Sequence, residues 1–393
     1  MPSKPSAFSN ISPRVREILR ITHIWIGIVI CIPTAILGAT GSILVYDQEI
    51  LSLFSDSAPH VAAVGEQQSP EAIVAAAQAK APGTRVTVLS LPAKPGELAV
   101  VRLQRPGAAP GPGGQQPVRV DPVSLEVLAN NAAASPAWLR WTHSLHANML
   151  ISRDGRDYVG WLGVIMLALG VSGLVIWWPR PSRWRAAFGV ERRAKGLMFH
   201  RQLHGAVGIW GLLVFIVVSF SGVYICFPQT TGAVVKTFFP GRELRSMAAT
   251  VKVKPVEGGA PIGLNAATDL AKKTVPDAIV RSVFMPQRPD QPVRIGMTHG
   301  THSTAQGVPV ITVFVDPWRG EVVELLDPSR YTVGETIMSW QRALHAGAGA
   351  GWLFRFLVFL SGFMPVVFAI TGIAMWLHKR RSKMRTTDAA PAE

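Results

Sequence analysis

Four uncharged apolar stretches dominate this sequence of 393 residues. They are Ile24–Tyr46, Tyr158–Trp178, Leu203–Phe227 and Phe356–Leu377. Each one supplies the roughly 20 residues that a helix needs to cross a hydrocarbon layer about 30 Å thick. The first stretch is too long for a removable signal peptide and lacks a small-residue cleavage site. The sequence therefore predicts an α-helical integral membrane protein with four transmembrane (TM) helices, and not a soluble protein with four buried core helices.

Basic residues cluster in the short segments that flank these stretches. They are Lys4, Arg14, Arg16 and Arg20; Arg180, Arg183, Arg185, Arg192, Arg193, Lys195 and Arg201; and Lys379, Arg380, Arg381, Lys383 and Arg385. Short loops rich in Lys and Arg mark the cytoplasmic side of a membrane. We therefore expect a multi-pass protein of the bacterial inner membrane with both termini cytoplasmic. The net charge of +15 then reflects topology, and the surrounding partner is the lipid bilayer and not a nucleic acid.

The sequence also repeats itself, which indicates two tandem copies of one unit. At one constant offset, His23, Gly27 and Gly41 fall on His204, Gly208 and Gly222. At a second, slightly larger offset, Trp141, His146, Gly173 and Trp177 fall on Trp340, His345, Gly372 and Trp376. Each copy would contribute two membrane helices and one long outer segment.

The long segments 47–157 and 228–351 each read as a small α+β periplasmic domain. The first has a helix over Pro70–Lys80, strands over Arg85–Leu91 and Glu97–Leu103, a loop over Pro106–Pro117, and a strand ending at Val120. The second has a helix over Asn265–Thr274, strands over Ala278–Met285 and Pro292–Met297, a loop over Thr298–Val308, and a strand ending at Val315. Each last strand runs into Asp-Pro, which favours a reversal. Helical spacing of Trp, Leu and His predicts a short interfacial helix after each domain, in Trp138–Gly155 and Ser339–Gly351.

These boundaries divide the chain into eight segments. They are residues 1–46 (N-terminus and TM1), 47–157 (first outer domain), 158–178 (TM2), 179–202 (basic loop), 203–227 (TM3), 228–351 (second outer domain), 352–378 (TM4) and 379–393 (tail).

Four histidines occupy equivalent places in the two copies. His23 and His204 lie at the start of the first and third spans, and His146 and His345 precede the second and fourth spans. If the copies pack about a pseudo-twofold axis normal to the membrane, His23 faces His204 and His146 faces His345. Each pair could supply the two axial imidazoles of one haem iron. Duplication would also copy a purely structural histidine, so the alternative of hydrogen-bonded surface groups stays open.

Glycines occur in the spans where either a flat porphyrin or a close helix would need them. They are Gly38, Gly41, Gly170, Gly173, Gly222 and Gly372. Small residues are also ordinary helix-packing devices in membranes, and the sequence does not separate the two explanations.

The remaining histidines lack counterparts in the other copy. His143, His200 and His378 are interpreted as surface groups, although His200 or His378 could replace a cytoplasmic ligand. His299 and His302 lie in a predicted hairpin loop, where a solvated loop is the simpler interpretation than a metal site. The sequence shows neither a dinucleotide-binding nor a Walker motif. The electrons are therefore expected from a membrane quinol or a cytoplasmic reductase.

The segments around the four histidines resemble the PepSY-associated transmembrane family, also called iron-regulated membrane proteins. The resemblance is carried by Thr22-His23-Ile-Trp-Ile-Gly27 with Thr40-Gly41; Ser144-Leu-His146 with Ser172-Gly173; Leu203-His204-Gly-Ala-Val-Gly208 with Ser221-Gly222; and Leu344-His345-Ala-Gly347 with Thr371-Gly372. Val315-Asp316-Pro317 followed by Gly320-Glu321-Val322 resembles the end of a PepSY domain, whereas the first copy has Ser124-Leu125-Glu126 in place of the glycine turn.

The resemblance implies a function, because the family includes inner-membrane siderophore reductases that hold two b-type haems. It places the haem ligands at His23, His146, His204 and His345. The expected protein is thus a dihaem cytochrome that carries electrons outward and reduces a ferric siderophore or another Fe(III) chelate in the periplasm. Two alternatives stay open: a non-enzymatic PepSY regulator of a protease, and a quinol-linked cytochrome with a different periplasmic acceptor.

Overall fold

The computed structural model describes residues 12–53, 65–107, 115–128, 136–152, 154–300 and 307–388. The chain divides into two compact units. The helical unit comprises residues 1–50, 137–231 and 341–393, and the sheet unit comprises residues 51–136 and 232–340. Lys4, His302 and the middle of the Pro106–Pro117 loop lie outside the described residues.

Thirteen α-helices occur in the described part of the chain. In chain order they are α1 (Pro13–Val45), α2 (Asp47–Leu53), α3 (Pro70–Ala79), α4 (Ala137–Asn148), α5 (Gly155–Trp177), α6 (Trp184–Ala187), α7 (Gly196–Cys226), α8 (Pro228–Phe238), α9 (Leu244–Thr250), α10 (Leu264–Thr274), α11 (Val333–His345), α12 (Gly351–Ser361) and α13 (Met364–Asp388).

Four helical segments within the described residues are long and apolar enough to cross a membrane. They are Pro13–Val45, Gly155–Trp177, Gly196–Cys226 and Gly351–Ser382. The first begins well before the predicted Ile24, because Ser12 caps it by accepting a hydrogen bond from the Val15 amide and Pro13 suits its first turn. The chain is a multi-pass membrane protein with four spans, as the sequence predicts.

The fourth span is interrupted, which the sequence does not predict. It consists of α12 and α13, separated by Gly362 and Phe363. The Phe363 amide bonds to the Leu360 carbonyl, so the Phe359 carbonyl loses its helical partner. The Ser42 hydroxyl of α1 donates to that carbonyl at 2.7 Å. The break thus allows α1 to pack closely at Gly362. The freed carbonyl keeps a hydrogen-bond donor, which a backbone carbonyl needs in an apolar environment.

In the helical unit, α1 and α7 are separated by α5 and α13. Both α1 and α7 pack against α5 and α13. Arginine side chains donate hydrogen bonds to carbonyl groups at the C-terminal ends of two helices. Arg156 of α5 donates to the Ile225 carbonyl of α7, and Arg355 of α12 donates to the Val45 carbonyl of α1. Arg156 falls on Arg355 at the second repeat offset. Guanidinium groups at carbonyl ends satisfy orphan acceptors and complement the helix dipole.

The sheet unit contains one antiparallel sheet. Its strands are β1 (Arg85–Ser90), β2 (Ala99–Gln104), β3 (Gln115–Val120), β4 (Val127–Leu128), β5 (Ile279–Phe284), β6 (Val293–Thr298), β7 (Ile311–Asp316) and β8 (Glu321–Leu326). Their spatial order is β4-β3-β2-β1-β5-β6-β7-β8.

The sequence predicts two separate outer domains, whereas the structure makes the two outer segments halves of one sheet. The halves join through β1 and β5, with Val88 opposite Phe284 and Ser90 opposite Ser282. One hydrophobic core runs through both halves. It contains side chains from both sets of strands and from helices α3 and α10, among them Leu89, Val101, Val283, Ile295, Ile73 and Ala267. Joining the halves pairs two strand edges that would otherwise be open.

Candidate functional site

His23 and His204, two of the four predicted ligands, face each other near the starts of α1 and α7. This end of the helical unit carries Arg20, Arg201 and Lys379 and is called the basic end below. The His23 and His204 ring centroids lie 6.4 Å apart with an interplanar angle of 71°. His23 belongs to α1 and His204 to α7, so the pair links the two opposite helices.

Hydroxyl groups on the intervening helices hold these two rings. His23 Nδ1 lies 2.9 Å from Ser172 Oγ of α5, and His204 Nδ1 lies 2.8 Å from Thr371 Oγ1 of α13. Ser172 donates its own proton to the Leu169 carbonyl, and Thr371 donates to the Val367 carbonyl. Each hydroxyl oxygen must then accept a hydrogen bond from the Nδ1–H group. This network assigns the proton to Nδ1 and leaves Nε2 with a free lone pair.

The other two histidines form a second facing pair, called the α4/α11 pair below. The His146 and His345 ring centroids lie 6.0 Å apart with an interplanar angle of 43°. His146 Nδ1 donates to the Leu37 carbonyl of α1 at 3.0 Å, and His345 Nδ1 donates to the Val218 carbonyl of α7 at 3.1 Å. A carbonyl can only accept, so Nε2 is again the unprotonated nitrogen. Thr40 and Ser221 hydroxyls also lie 3.2 Å from His146 Nδ1 and His345 Nδ1, respectively.

The α4/α11 pair is neutral at physiological pH. Burial lowers the pKa of His146 from 6.5 to about 4, and the neighbouring His345 adds to the decrease. Burial also lowers the pKa of His345. Neutral imidazole with a free nitrogen is the form that binds a metal ion.

The two pairs are separate sites. His146 lies within hydrogen-bond distance of Leu37 and Thr40 of α1, whereas His23 lies several helical turns earlier on the same helix. At a rise of about 1.5 Å for each residue, the pairs are roughly 20–25 Å apart along α1. One bound group therefore cannot serve both pairs.

Three of the predicted glycines lie directly against histidine rings. A Cβ atom on Gly41 would lie 2.9 Å from His146 Cε1, and one on Gly222 would lie 3.1 Å from His345 Cε1. A Cβ on Gly173 would lie 3.4 Å from His23 Cε1. The other three glycines do not contact a histidine ring. Gly38 packs against Gly362, Gly170 packs against Phe215, and a Cβ atom on Gly372 would have no neighbour within 4 Å. Close packing against a side chain or a helix thus explains Gly38, Gly41, Gly173 and Gly222, and the explanation by a porphyrin stays a prediction.

The hydroxyl partners and the glycines belong to segments that the sequence analysis singled out, but their role was not predicted. A Ser-Gly or Thr-Gly dipeptide occurs in each span, at Thr40-Gly41, Ser172-Gly173, Ser221-Gly222 and Thr371-Gly372. In each dipeptide the hydroxyl lies within hydrogen-bond distance of one histidine Nδ1. In three of them the glycine makes room for the same ring. The fourfold recurrence was the signal that could have identified the hydroxyls as histidine partners.

A cavity of about 650 Å³ lies beside the basic-end pair. It is lined mainly by apolar and aromatic side chains, among them Trp177, Phe368 and Trp376, together with His23 and His204. Arg20, Arg201 and Lys379 contribute cationic groups to its wall. Pockets of roughly 300–1,000 Å³ with apolar walls and a few placed polar groups are typical of cofactor sites.

The remaining histidines have different surroundings. His143 is exposed on α4. His299 Nδ1 donates to the Asp277 carbonyl at 3.1 Å. His200 and His378 lie beside each other, with ring centroids 6.1 Å apart. Sequence reasoning missed this third pairing because neither residue has a counterpart in the other copy.

The ring spacings fit two imidazoles that share one metal ion. With N–metal bonds of about 2.0–2.1 Å, such rings have centroids roughly 5 Å apart at a tetrahedral angle and roughly 6.4 Å apart when they lie opposite each other. The observed 6.0 and 6.4 Å correspond to rings on opposite sides. Within the described residues, no cluster of three or more His, Cys, Asp or Glu side chains could hold a metal ion. A pair of opposed imidazoles fits haem, whose macrocycle supplies the other four nitrogens.

These features define a class of protein: a multi-pass membrane protein with four spans and a separate antiparallel sheet region. A sequence profile of the PepSY-associated TM region matches residues 20–379, so the chain belongs to this family, as the sequence motifs indicate. The comparison with curated proteins gives no match.

Proposed function

We propose that this protein is a dihaem b-type cytochrome of the bacterial inner membrane that transfers electrons outward and reduces ferric iron bound to a siderophore. The observation that carries the proposal is the presence of two facing imidazole pairs, each held through Nδ1 so that Nε2 is free. The same arrangement of a histidine, a hydroxyl and a glycine supports both pairs, which argues against incidental contacts between surface histidines. Two tandem copies of one unit would explain why the supporting residues recur at constant offsets along the chain.

His23 and His204 would hold one haem, and His146 and His345 the other. A haem b with two imidazole ligands supplies one-electron chemistry between ferric and ferrous iron. The Nδ1 hydrogen bonds fix the orientation and tautomer of each ring, a role that outer partners of metal-bound histidine commonly have. At the basic end, the side chains of Arg20, Arg201 and Lys379 can neutralise the carboxylates of a bound porphyrin.

The direction of transfer follows from the charge distribution. The basic end carries the Lys and Arg residues that mark a cytoplasmic face, which assigns the α4/α11 pair to the outer face. A quinol or a cytoplasmic reductase would supply electrons. Reduction at the outer face would release iron from its chelate, because the hard oxygen donors of siderophores bind Fe³⁺ better than Fe²⁺.

The ligand assignment is tested by haem quantification in single variants of the purified protein. His146→Ala and His345→Ala should each lose one haem and keep the basic-end haem, whereas His23→Ala and His204→Ala should do the reverse. A variant that retains two low-spin haems with an unaltered spectrum would show that the replaced histidine is not a ligand. A wild-type protein without a Soret band would leave the non-enzymatic regulator as the better explanation.

The substrate class is tested separately, with dithionite-reduced protein in detergent. A ferric siderophore added with a ferrous chelator should reoxidise the haems and form the coloured ferrous complex. His345→Ala should slow this reoxidation strongly. If no ferric siderophore reoxidises the wild-type protein, the acceptor is a different periplasmic molecule. An equal rate in the variant would mean that electrons leave by another route.

A further inference from the structure

His200 and His378 form a third pair of imidazoles, outside the two sites described above. Their ring centroids lie 6.1 Å apart with an interplanar angle of 38°. His200 belongs to the second turn of α7, and His378 lies in the second half of α13. The pair therefore connects two different helices at the basic end. Gly196, at the start of α7, does not crowd the pair, since even a Cβ atom there would lie 3.9 Å from His378 Cε1.

One nitrogen of this pair lacks the hydrogen bond that the other paired histidines have. His200 Nδ1 is buried and has no hydrogen-bond partner among the described residues. Each of the four symmetry-related histidines, by contrast, has its Nδ1 bonded to a hydroxyl or a carbonyl. A buried polar atom without a partner costs free energy, and a metal ion bound at His200 Nδ1 would remove this cost.

The ring spacing points to a metal ion as the ligand. The 6.1 Å separation corresponds, like those of the other two pairs, to two imidazoles on nearly opposite sides of one ion. A third haem does not fit, because His200 lies one helical turn, roughly 6 Å, from His204. That distance is smaller than the width of a porphyrin, so two macrocycles would overlap.

We propose that His200 and His378 bind a divalent transition-metal ion of the Cu²⁺ or Ni²⁺ class, whose square-planar or tetragonal coordination places imidazole ligands opposite each other. Water would complete the coordination. The bound ion joins α7 to α13, the two helices that supply His204 and Thr371 to the basic-end pair. It thereby stabilises the wall of the cavity, to which α7 contributes Gly205 and α13 contributes Phe368 and Trp376.

Ni²⁺ is the probe for this site, because it suits opposed imidazoles and keeps its oxidation state in aqueous buffer. The full-length protein, purified in detergent and freed of loose metal with EDTA, is titrated with Ni²⁺ by calorimetry. We expect one site per chain that His200→Gln and His378→Gln each weaken by more than about tenfold, since even the loss of an outer partner costs about 10–100-fold in metal affinity. Saturating Ni²⁺ should also raise the melting temperature of the wild-type protein by at least about 2 °C, and not that of the two variants.

The control is His143→Gln, which removes an exposed imidazole from α4 and should leave both nickel binding and the melting shift unchanged. Glutamine retains the bulk of the side chain, and gel filtration with circular dichroism verifies folding. The proposal is overturned if the wild-type protein binds no Ni²⁺, or if either variant retains the site at full affinity. It is also overturned if either variant loses a haem, because the residue would then be an iron ligand. The nickel titration does not depend on electron transfer, so its failure and that of the proposed function are distinguishable.

Discussion

Ser172 and Thr371 have the same role on two different helices, in opposite halves of the chain. Ser172 of α5 accepts a hydrogen bond from His23, and Thr371 of α13 accepts one from His204. Each hydroxyl also donates to a carbonyl in its own helix, so its oxygen is available only as an acceptor. Two short polar residues in apolar helices thus determine the tautomer of both basic-end imidazoles.

Removing one of these hydroxyls should weaken one haem site selectively. Thr371→Val retains the shape of the side chain but leaves His204 Nδ1 without an acceptor. We expect the affinity for the basic-end haem to fall by about 10–100-fold, with the other haem unchanged. Haem stoichiometry and reduction potentials measure this. Thr371→Ser is the matched control because it retains the hydroxyl, and equal haem loss in both variants would argue that the threonine acts through packing alone.

The sequence predicted much of this arrangement because the relevant signals are local. Span positions follow from apolar length, and the family and the multi-pass topology are confirmed. Repetition identified His23, His204, His146 and His345, and the structure brings them together in the expected pairs. The haem assignment itself stays a prediction.

Features that depend on contacts between distant segments were not predictable in the same way. Val88 and Phe284 are opposite each other in the sheet although they lie in different halves of the chain. The sequences of their two strands contain no motif that indicates this pairing. The break at Gly362 depends on the close approach of α1 and on the Ser42 hydroxyl. His200 and His378 likewise meet only because α7 packs against α13.

Membrane orientation should follow the basic clusters. A reporter fused after Gly258, in an exposed turn with φ of +72°, disturbs no packed side chain. We expect alkaline phosphatase to be active at this position and a cytoplasmic fluorescent reporter to be inactive. A reporter inserted after Gly189, where a Cβ atom would likewise meet nothing within 4 Å, should give the opposite pattern. Activity of the cytoplasmic reporter at Gly258 would reverse the proposed direction of electron transfer.

The stability of the haem-free protein should fall as the solution becomes mildly acidic. His146 has a pKa of about 4 in the folded protein, against 6.5 for an unperturbed histidine. Between these values the unfolded chain binds more protons, so lowering the pH favours unfolding. The full shift corresponds to about 3 kcal/mol, lost progressively between about pH 6.5 and pH 4. Melting temperatures across this range measure the loss. His146→Gln should flatten the dependence and His143→Gln should not; parallel curves for all three proteins would contradict the assignment.

The glycines beside the α4/α11 pair should be irreplaceable for a steric reason. In Gly41→Ala the new methyl group would lie 2.9 Å from His146 Cε1, closer than a carbon–carbon contact allows. The ring must move, and its Nδ1 hydrogen bond to the Leu37 carbonyl stretches or breaks. We expect Gly41→Ala to lose the outer haem and to retain the basic-end haem. Gly222→Ala should do the same through His345, with a smaller effect because its contact distance is 3.1 Å.

Val29→Ala on the same helix provides the control for helix propensity and membrane insertion. The Val29 side chain is exposed on α1 and does not line the cavity at the basic end, so this variant should retain both haems and melt close to the wild-type temperature. Haem stoichiometry, together with the absorption spectrum of the reduced protein, distinguishes the three variants. If Gly41→Ala retains both haems with unshifted bands, the His146 ring tolerates displacement and does not ligate iron at this place. If Val29→Ala also loses a haem, the loss comes from α1 as a whole and the steric argument fails.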